Sequence, residues 1–420
     1  MLSGLGIFPY LSPLNLEFHV RRYITQDQIV IALIMLAVAV VVSSVDMYIP
    51  SMPEMMVYFK TTQEMVQLTV SAGIIGTGIV TLFIGFLSDA YGRKWFMTGL
   101  MAVFTISAFM ASQAKTVEEL IFWRLLQGVG GSAPFVLGFA IIADMYKGVK
   151  VAVYYSYITT LITVALVCAP TIGGFISDTY SWQMCFYVLS AGGLVVTVCC
   201  FFFMPETVKA KTNVHMSQVI GTYGRIFTSK TFIVLTFLAS FMISGILGFV
   251  SNINFYFITK LGMSMREFGV YQSAIMGMNM VASIFSGRTI QTFGMPWTVR
   301  MGLTLLTFGG LSFFATSYVF PDSPLLLCAA ISFYAAGVGF AFSSITAVCM
   351  NLFPMNSGSA SSVISLIRGT MIAMAVPLSG MFYHTMVIEI GYYVLLMTGA
   401  SLFLYWVVRR NLLQIPDSYH

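Results

Sequence analysis

The sequence predicts an all-α membrane protein, with twelve transmembrane helices arranged as two pseudo-symmetric six-helix bundles. Three observations carry this expectation. Of 420 residues, 58% are hydrophobic and only 8% charged, with mean hydropathy +0.89, whereas soluble globular chains carry roughly 25% charged residues. The apolar residues fall in runs of about twenty, the length that carries a helix across a bilayer core. Gly and Pro recur at corresponding places in the two halves, as in duplicated transporter folds.

Residues 1–28 form a mixed leader with Arg21 and Arg22. Apolar spans follow at 29–49, 66–87, 95–113, 119–144, 151–176 and 183–204, making a first bundle over 29–204. The second span breaks abruptly into Gly85, Ser88, Asp89, Gly92, Arg93 and Lys94. Here Gly92 permits a sharp turn, Gly85 permits close approach of another helix, and Asp89 precedes Arg93 by one helical turn. The stretch 205–230 is the longest polar break and holds Lys209, Lys211, Arg225 and Lys230. It reads as a linker. Six further spans fit at 232–257, 267–290, 297–318, 324–352, 358–384 and 387–408, giving a second bundle over 231–410, and 411–420 is a tail.

Loop charge orients the chain. One side collects Arg21, Arg22, Arg93, Lys94, Lys147, Lys150, the four linker bases, Arg288, Arg300, Arg409 and Arg410; the other holds Lys60, Lys115, Lys260 and Arg266. Positive residues are retained inside, so both termini are expected in the cytoplasm of a bacterial-type inner membrane. The net charge of +5 sits in these short loops, which speaks against nucleic acid as a partner. Cys168, Cys185, Cys199, Cys200, Cys328 and Cys349 all lie in apolar segments, without metal-ligand spacing, and read as small packing residues. No signal-peptide pattern stands out in the first thirty residues.

The internal repeat is modest. Gly85, Asp89 and Gly92 correspond to Gly287, Gln291 and Gly294, each set closing the second span of its half; Pro170 and Gly173 correspond to Pro377 and Gly380. The basic pair Arg93–Lys94 is replaced by Met295 and Pro296 in the second copy.

Several motifs stand in order along the chain: DMYIPSMP (46–53), GFLSDAYGRK (85–94), RLLQGVGG (124–131), ADMYKG (143–148), APTIGG (169–174), PET (205–207) and FPMNSGSAS (353–361). With these residues the chain resembles the major facilitator superfamily, and within it the bicyclomycin and chloramphenicol resistance branch of the drug:proton antiporters. Ala165 and Ala169 stand where the antiporter motif usually has Gly, Ala143 where the branch often has Arg, and Gln183 follows Trp182 where Arg is frequent. Such differences fit a relative adapted to one metabolite.

Charges inside a membrane are costly and need a reason. Asp46, at or near the outer end of span one, is the candidate proton and substrate switch: a carboxyl in low dielectric can exchange a proton near neutral pH. The plain alternative is a helix end capped before Pro50 and Pro53. Arg124 lies inside span four among Gln127, Gly128, Gly130 and Gly131. The resemblance implies that it lines the central cavity and tunes the acid of span one; the plain alternative is snorkelling to the interface. Asp89, Arg93 and Asp144 would form an inner latch, with Asp89 also able to accept from amides at the start of span eleven near Ser359. The alternative is a surface ion pair worth about 0–1 kcal/mol. Arg368 is isolated in span eleven and faces either the cavity or the cytoplasmic mouth; if it faces the cavity it argues for an anionic or zwitterionic substrate. His384 reads as an interface residue. Phe249, Asn252 and Tyr256 fall near one face of span seven and, with Gln127, suit an amphiphilic ligand or helix packing equally. Pro170, Gly173 and Gly174 shape span five where it meets the other half, a gating role.

The resulting expectation is a monomeric secondary transporter that exports small amphiphilic compounds against protons by alternating access. No phosphate-binding loop, cofactor motif or metal site is evident, so the energy comes from a gradient. Alternatives in the same class are a dedicated exporter of one metabolite, such as a siderophore, and a proton-coupled symporter. A membrane enzyme lacks support, because neither an H-E-x-x-H site nor a G-x-S-x-G elbow is present. A transport-incompetent receptor on the same fold would show no proton flux with any ligand.

Overall fold

A computed structural model describes residues 26–208, 216–353, 357–383 and 386–412. The leader before Gln26, the linker bases Lys209 and Lys211, His384 and the tail beyond Leu412 lie outside the described residues, as do the side chains of Arg410 and of 216–220. All regular structure among the described residues is helical.

The helices of the first half are α1 (Gln26–Asp46), α2 (Met52–Phe59), α3 (Gln63–Tyr91), α4 (Arg93–Ser112), α5 (Val117–Met145), α6 (Val149–Thr179) and α7 (Trp182–Phe203). Those of the second are α9 (Lys230–Phe255), α10 (Met265–Phe293), α11 (Met295–Val319), α12 (Pro324–Asn351), α13 (Ser357–Phe382) and α14 (Val387–Leu412). Between them, in the predicted linker, stands the short helix α8 (Met216–Thr228). Twelve of the described segments are long and apolar enough to cross a membrane, one for each predicted span.

The first span is not one helix. It stops at Asp46, makes a single 3₁₀ turn over Ile49–Ser51, and resumes as α2. Pro50 and Pro53 fall at the starts of these two segments, where a missing N–H is tolerated. The seventh span ends in one π turn, Tyr256–Lys260. Ser264 and Glu267 form a reciprocal capping box on α10, a local signal that fixes where the eighth span begins.

Within the first half α3 and α4 pack on α5, α4 on α7, and α1 on α6 and α7; within the second, α11 and α10 pack on α12, and α13 and α14 on α9. Two seams join the halves, α3 to α13 and α6 to α10. The duplication is visible in the backbone. Gly92 (φ 110°) caps α4 and Gly294 (φ 82°) caps α11, both in left-handed space where a side chain is strained. The six cysteines are free thiols, four of them buried in helix contacts. Below, the end of the molecule carrying Arg93 and Lys94 is the basic face and the other end the distal face.

Candidate functional site

The residues singled out by sequence separate into three places. The first is the break in the first span. Asp46 closes α1, is 2% exposed, and its Oδ1 has no hydrogen-bond partner. Arg124 is also 2% exposed, which removes the snorkelling alternative. Its guanidinium donates to Gln127 Oε1 at 2.7 Å and, by Nε, to the Thr69 carbonyl at 3.4 Å. It lies 4.7 Å from the Tyr48 ring centroid and 5.9 Å from that of Phe186. The Tyr48 hydroxyl in turn bonds Thr69 Oγ1 at 3.0 Å. Arg124 therefore rests on neutral acceptors and aromatic faces. No ion pair joins it to Asp46 among the described residues, so the expected acid–base pair is two separate buried charges. Seven residues separate Arg124 from the start of α5, about 10 Å of helix rise, which sets it in the distal half of the membrane.

The second place is the distal face, where the halves close on each other. Asn252 of α9 accepts from Gln63 Nε2 at 2.6 Å and from Gln67 Nε2 at 3.0 Å, both on α3. Its own amide donates to the Gly248 carbonyl at 2.7 Å and to Ser379 Oγ of α13 at 2.6 Å. Beside it, Gln67 also donates to the Ser251 carbonyl at 2.9 Å, and Asn254 donates to the Ile49 carbonyl at 2.8 Å. The second seam adds Thr171 Oγ1, 2.6 Å from Ser273 Oγ. Small residues set the spacing here. A Cβ on Gly173 would overlap the Met47 carbonyl, and one on Gly174 would lie 3.1 Å from the Met265 carbonyl carbon. One on Gly269 would lie 3.1 Å from the Pro170 carbonyl carbon. Thus Pro170, Gly173 and Gly174 meet the broken first span on one side and α10 of the other half on the other.

Phe249 and Tyr256 depart from the ligand face expected of them. Seven residues apart, they share a side of α9, while Asn252 stands about 60° round the helix. That side turns into the second bundle: Phe249 packs edge-on against Phe313 of α11, centroids 5.1 Å apart, and is fully buried. The Tyr256 hydroxyl donates to Asp322 at 3.1 Å, on the wall of a 420 Å³ depression that opens at the distal face. Neither ring reaches the space between the bundles.

The third place is the basic face. Arg93 pairs with Asp89 at 2.9 Å and with Asp144 at 2.5 Å. Two residues not assigned from sequence complete the array. Glu206 accepts from the backbone N–H groups of Arg93 (2.9 Å) and Lys94 (3.4 Å), capping α4, and Thr207 donates to Asp144 at 3.1 Å. A carboxylate at a helix N-terminus is favoured by both the orphan amides and the macrodipole. Gly92 is required twice over, by its φ of 110° and because a Cβ would come within 3.0 Å of the Glu206 carboxyl carbon. Gly85 departs from expectation: among the described residues a Cβ there meets nothing within 4 Å, so no described helix packs against it in this conformation. Burial raises the Asp89 carboxyl above the usual carboxylate range, Arg93 pulls it back, and Asp144 adds to the rise. All these partners belong to the first half or to the start of the linker that follows it. The span-eleven turn at 354–356 and the Ser357 side chain lie outside the described residues.

Arg368 lies apart, on α13, with its guanidinium carbon 5.8 Å from the Phe342 ring centroid of α12.

Comparison with known proteins places this geometry. The model of the Major Facilitator Superfamily matches residues 34–377. The bicyclomycin resistance protein homolog of Haemophilus influenzae is 26% identical over 335 residues, 77% of this chain and 82% of that one. The multidrug resistance protein MdtL of Salmonella paratyphi B is 25% identical over 332 residues, 77% of this chain and 81% of that one. The crystal structure of a D-xylose-proton symporter superposes with a TM-score of 0.73 at 14% identity, covering 91% of this chain and 98% of that one. That likeness is one of fold alone. These matches bear out the resemblance to the superfamily and to its bicyclomycin and multidrug resistance branch.

Proposed function

We propose that this chain, which belongs to the major facilitator superfamily, is a monomeric proton-coupled antiporter that exports small amphiphilic compounds. The observation that carries the reading is Asp46: a carboxyl 2% exposed, at the break of the first span, with an oxygen lacking any protein partner and no cation paired to it. A buried charge without compensation is expensive. Such a carboxyl is stable when it holds a proton or faces a cargo group that takes the proton's place. Exchange of one for the other couples the two fluxes.

In this reading the basic face is cytoplasmic, since it gathers Arg93, Lys94, Lys147 and Lys150. The Gln63–Gln67–Asn252–Ser379 clasp and the α6–α10 seam are the outer gate, closed in this conformation. The Asp89–Arg93–Asp144 array with Glu206 and Thr207 braces the cytoplasmic end of the first bundle as the halves rock. Arg124 and Gln127 line the path beside Asp46, with Arg368 on the opposite half. The drug-resistance names of the relatives support export over import.

The test follows pH in everted vesicles while amphiphilic compounds are added. Wild-type protein releases protons from the vesicle lumen on addition of a transported compound, and Asp46→Asn abolishes that response while the protein still inserts and purifies. An undiminished response in Asp46→Asn removes Asp46 from the coupling mechanism.

A further inference from the structure

Arg368 is a charged side chain in the middle of an apolar helix, eleven residues after the start of α13 and so about 17 Å along it. That depth exceeds the reach of an arginine to the basic face, so it does not snorkel. Its direction is fixed by the helix. Met374, Leu378 and Met381, exposed at 65%, 40% and 67%, mark the lipid side of α13. Ser379 lies three turns beyond Arg368 on the same face and meets Asn252 of α9 in its own half, whereas a Cβ on Gly369, about 100° round the helix, would lie 3.4 Å from Ile74 of α3 in the other half. Ser361, on that face too, is exposed. Arg368 is partly exposed and points away from the lipid side, between α3 and the helices of its own half, toward the space between the bundles beneath the distal clasp. Its guanidinium carbon lies 5.8 Å over the Phe342 ring, a contact that uses none of its N–H donors and leaves them for another group. No hydrogen bond or ion pair occupies them among the described residues.

The charge balance points the same way. Among the described spans, Asp46, Arg124 and Arg368 are the charged side chains more than six residues from either end of their span. Two cations face one acid, and a protonated Asp46 leaves both uncompensated. Given the exporter reading above, on which this step rests, we propose that the cargo carries an anionic group, a carboxylate or similar planar oxyanion, and that Arg368 is the residue that binds it. A guanidinium and a carboxylate match in a two-bond fork, and the apolar remainder of the cargo lies against Phe342. A purely cationic amphiphile is then a poor substrate.

The test uses purified protein in proteoliposomes with an imposed pH gradient and two dyes that share one ring system. Rhodamine 110 has a free carboxyl group; rhodamine 123 is its methyl ester and a cation. Wild-type protein is expected to take up rhodamine 110 about tenfold faster or more, the scale of a hydrogen bond to a charged group. Arg368→Gln erases the preference and Arg368→Lys, which keeps the charge without the fork, retains part of it. If Arg368→Gln does not purify as a single species, Phe342→Leu takes its place and is expected to weaken the same preference. Uptake of the ester alone, or a preference that survives both substitutions, overturns the assignment while leaving the exporter reading intact. Uptake of neither dye counts against the exporter reading itself.

Discussion

Replacing Gly174 by Ala adds one methyl group to a helix, a change that ordinarily stabilises a helix interior by about 0.5–1 kcal/mol. At this position the sign reverses. The new Cβ would sit 3.1 Å from the Met265 carbonyl carbon and 3.3 Å from Arg266 Cα, where carbon atoms normally rest about 3.5–4.0 Å apart. Both contacts are backbone, so no rotamer change relieves them. Helices α6 and α10 must part by about 0.5–1 Å. Overpacking of this kind costs about 1–3 kcal/mol, and the penalty exists only while the distal seam is closed. An equilibrium between closed and open distal face therefore moves toward open by about 5–150-fold. The assay is labelling of a cysteine introduced at Ser251, buried beside the clasp, with a membrane-impermeant maleimide applied from the distal side. Gly174→Ala should accelerate labelling by at least about fivefold. Gly277→Ala on α10, where an added Cβ meets nothing within 4 Å, should leave the rate unchanged. Equal rates in the two variants would refute the claim that the α6–α10 seam is set by glycine-thin contact.

Four further outcomes are expected. Asn252→Leu leaves the Gln63 amide without its acceptor and takes one of two from Gln67, and should speed the same distal labelling several-fold, because an unpaired buried polar group costs about 1–3 kcal/mol. Gly92→Ala should abolish transport or expression, measured by proteoliposome flux and detergent yield, since it strains a left-handed backbone and displaces the Glu206 cap. Glu206→Gln should lower thermal stability in detergent by about 0.5–2 kcal/mol, the range of a lost N-terminal cap. Asp89 is an acid held above its ordinary range, so its ionisation opposes the folded state at neutral pH and that opposition is lifted as pH falls through the raised value. Thermal stability of wild type relative to Asp89→Asn should therefore rise as pH falls from neutral toward the ordinary carboxylate range, and a falling difference would contradict the assignment.

What could be read from sequence was whatever a single helix states by itself. Apolar run length gave the twelve spans, and the break of the first span was foreshadowed by Pro50 and Pro53. Gly92 was legible because few residues tolerate its backbone, and Gly173 and Gly174 because small residues beside a proline mark close packing. What could not be read was which neighbour each face meets. The partners of Asn252 lie 189 and 185 residues away, and nothing in the spacing of α9 distinguishes a clasp from a ligand contact. For the same reason the spacing of Phe249 and Tyr256 left ligand contact and helix packing equally open, and the period of seven that aligns them turns both into their own bundle. Gly85 is the opposite case: a motif glycine with open surroundings among the described residues. Glu206 sat inside a recognised tripeptide, yet its use as a cap depends on the end of α7 returning beside the start of α4.

The small helix α8 has one more implication for how far the molecule can open. Its Tyr223 hydroxyl donates to the Leu82 carbonyl of α3 at 3.0 Å, while the helix itself lies along α9 and α13 of the other half. It is thus a crossbar fastened to both sides at the basic face. A hydrogen bond does not stretch by more than a few tenths of an ångström, so widening of that mouth must either unhook the tyrosine or drag the crossbar with the first half. The connecting segment is thereby a mechanical stop on the stroke, and tightening or freeing it would alter turnover without touching any group that meets the cargo.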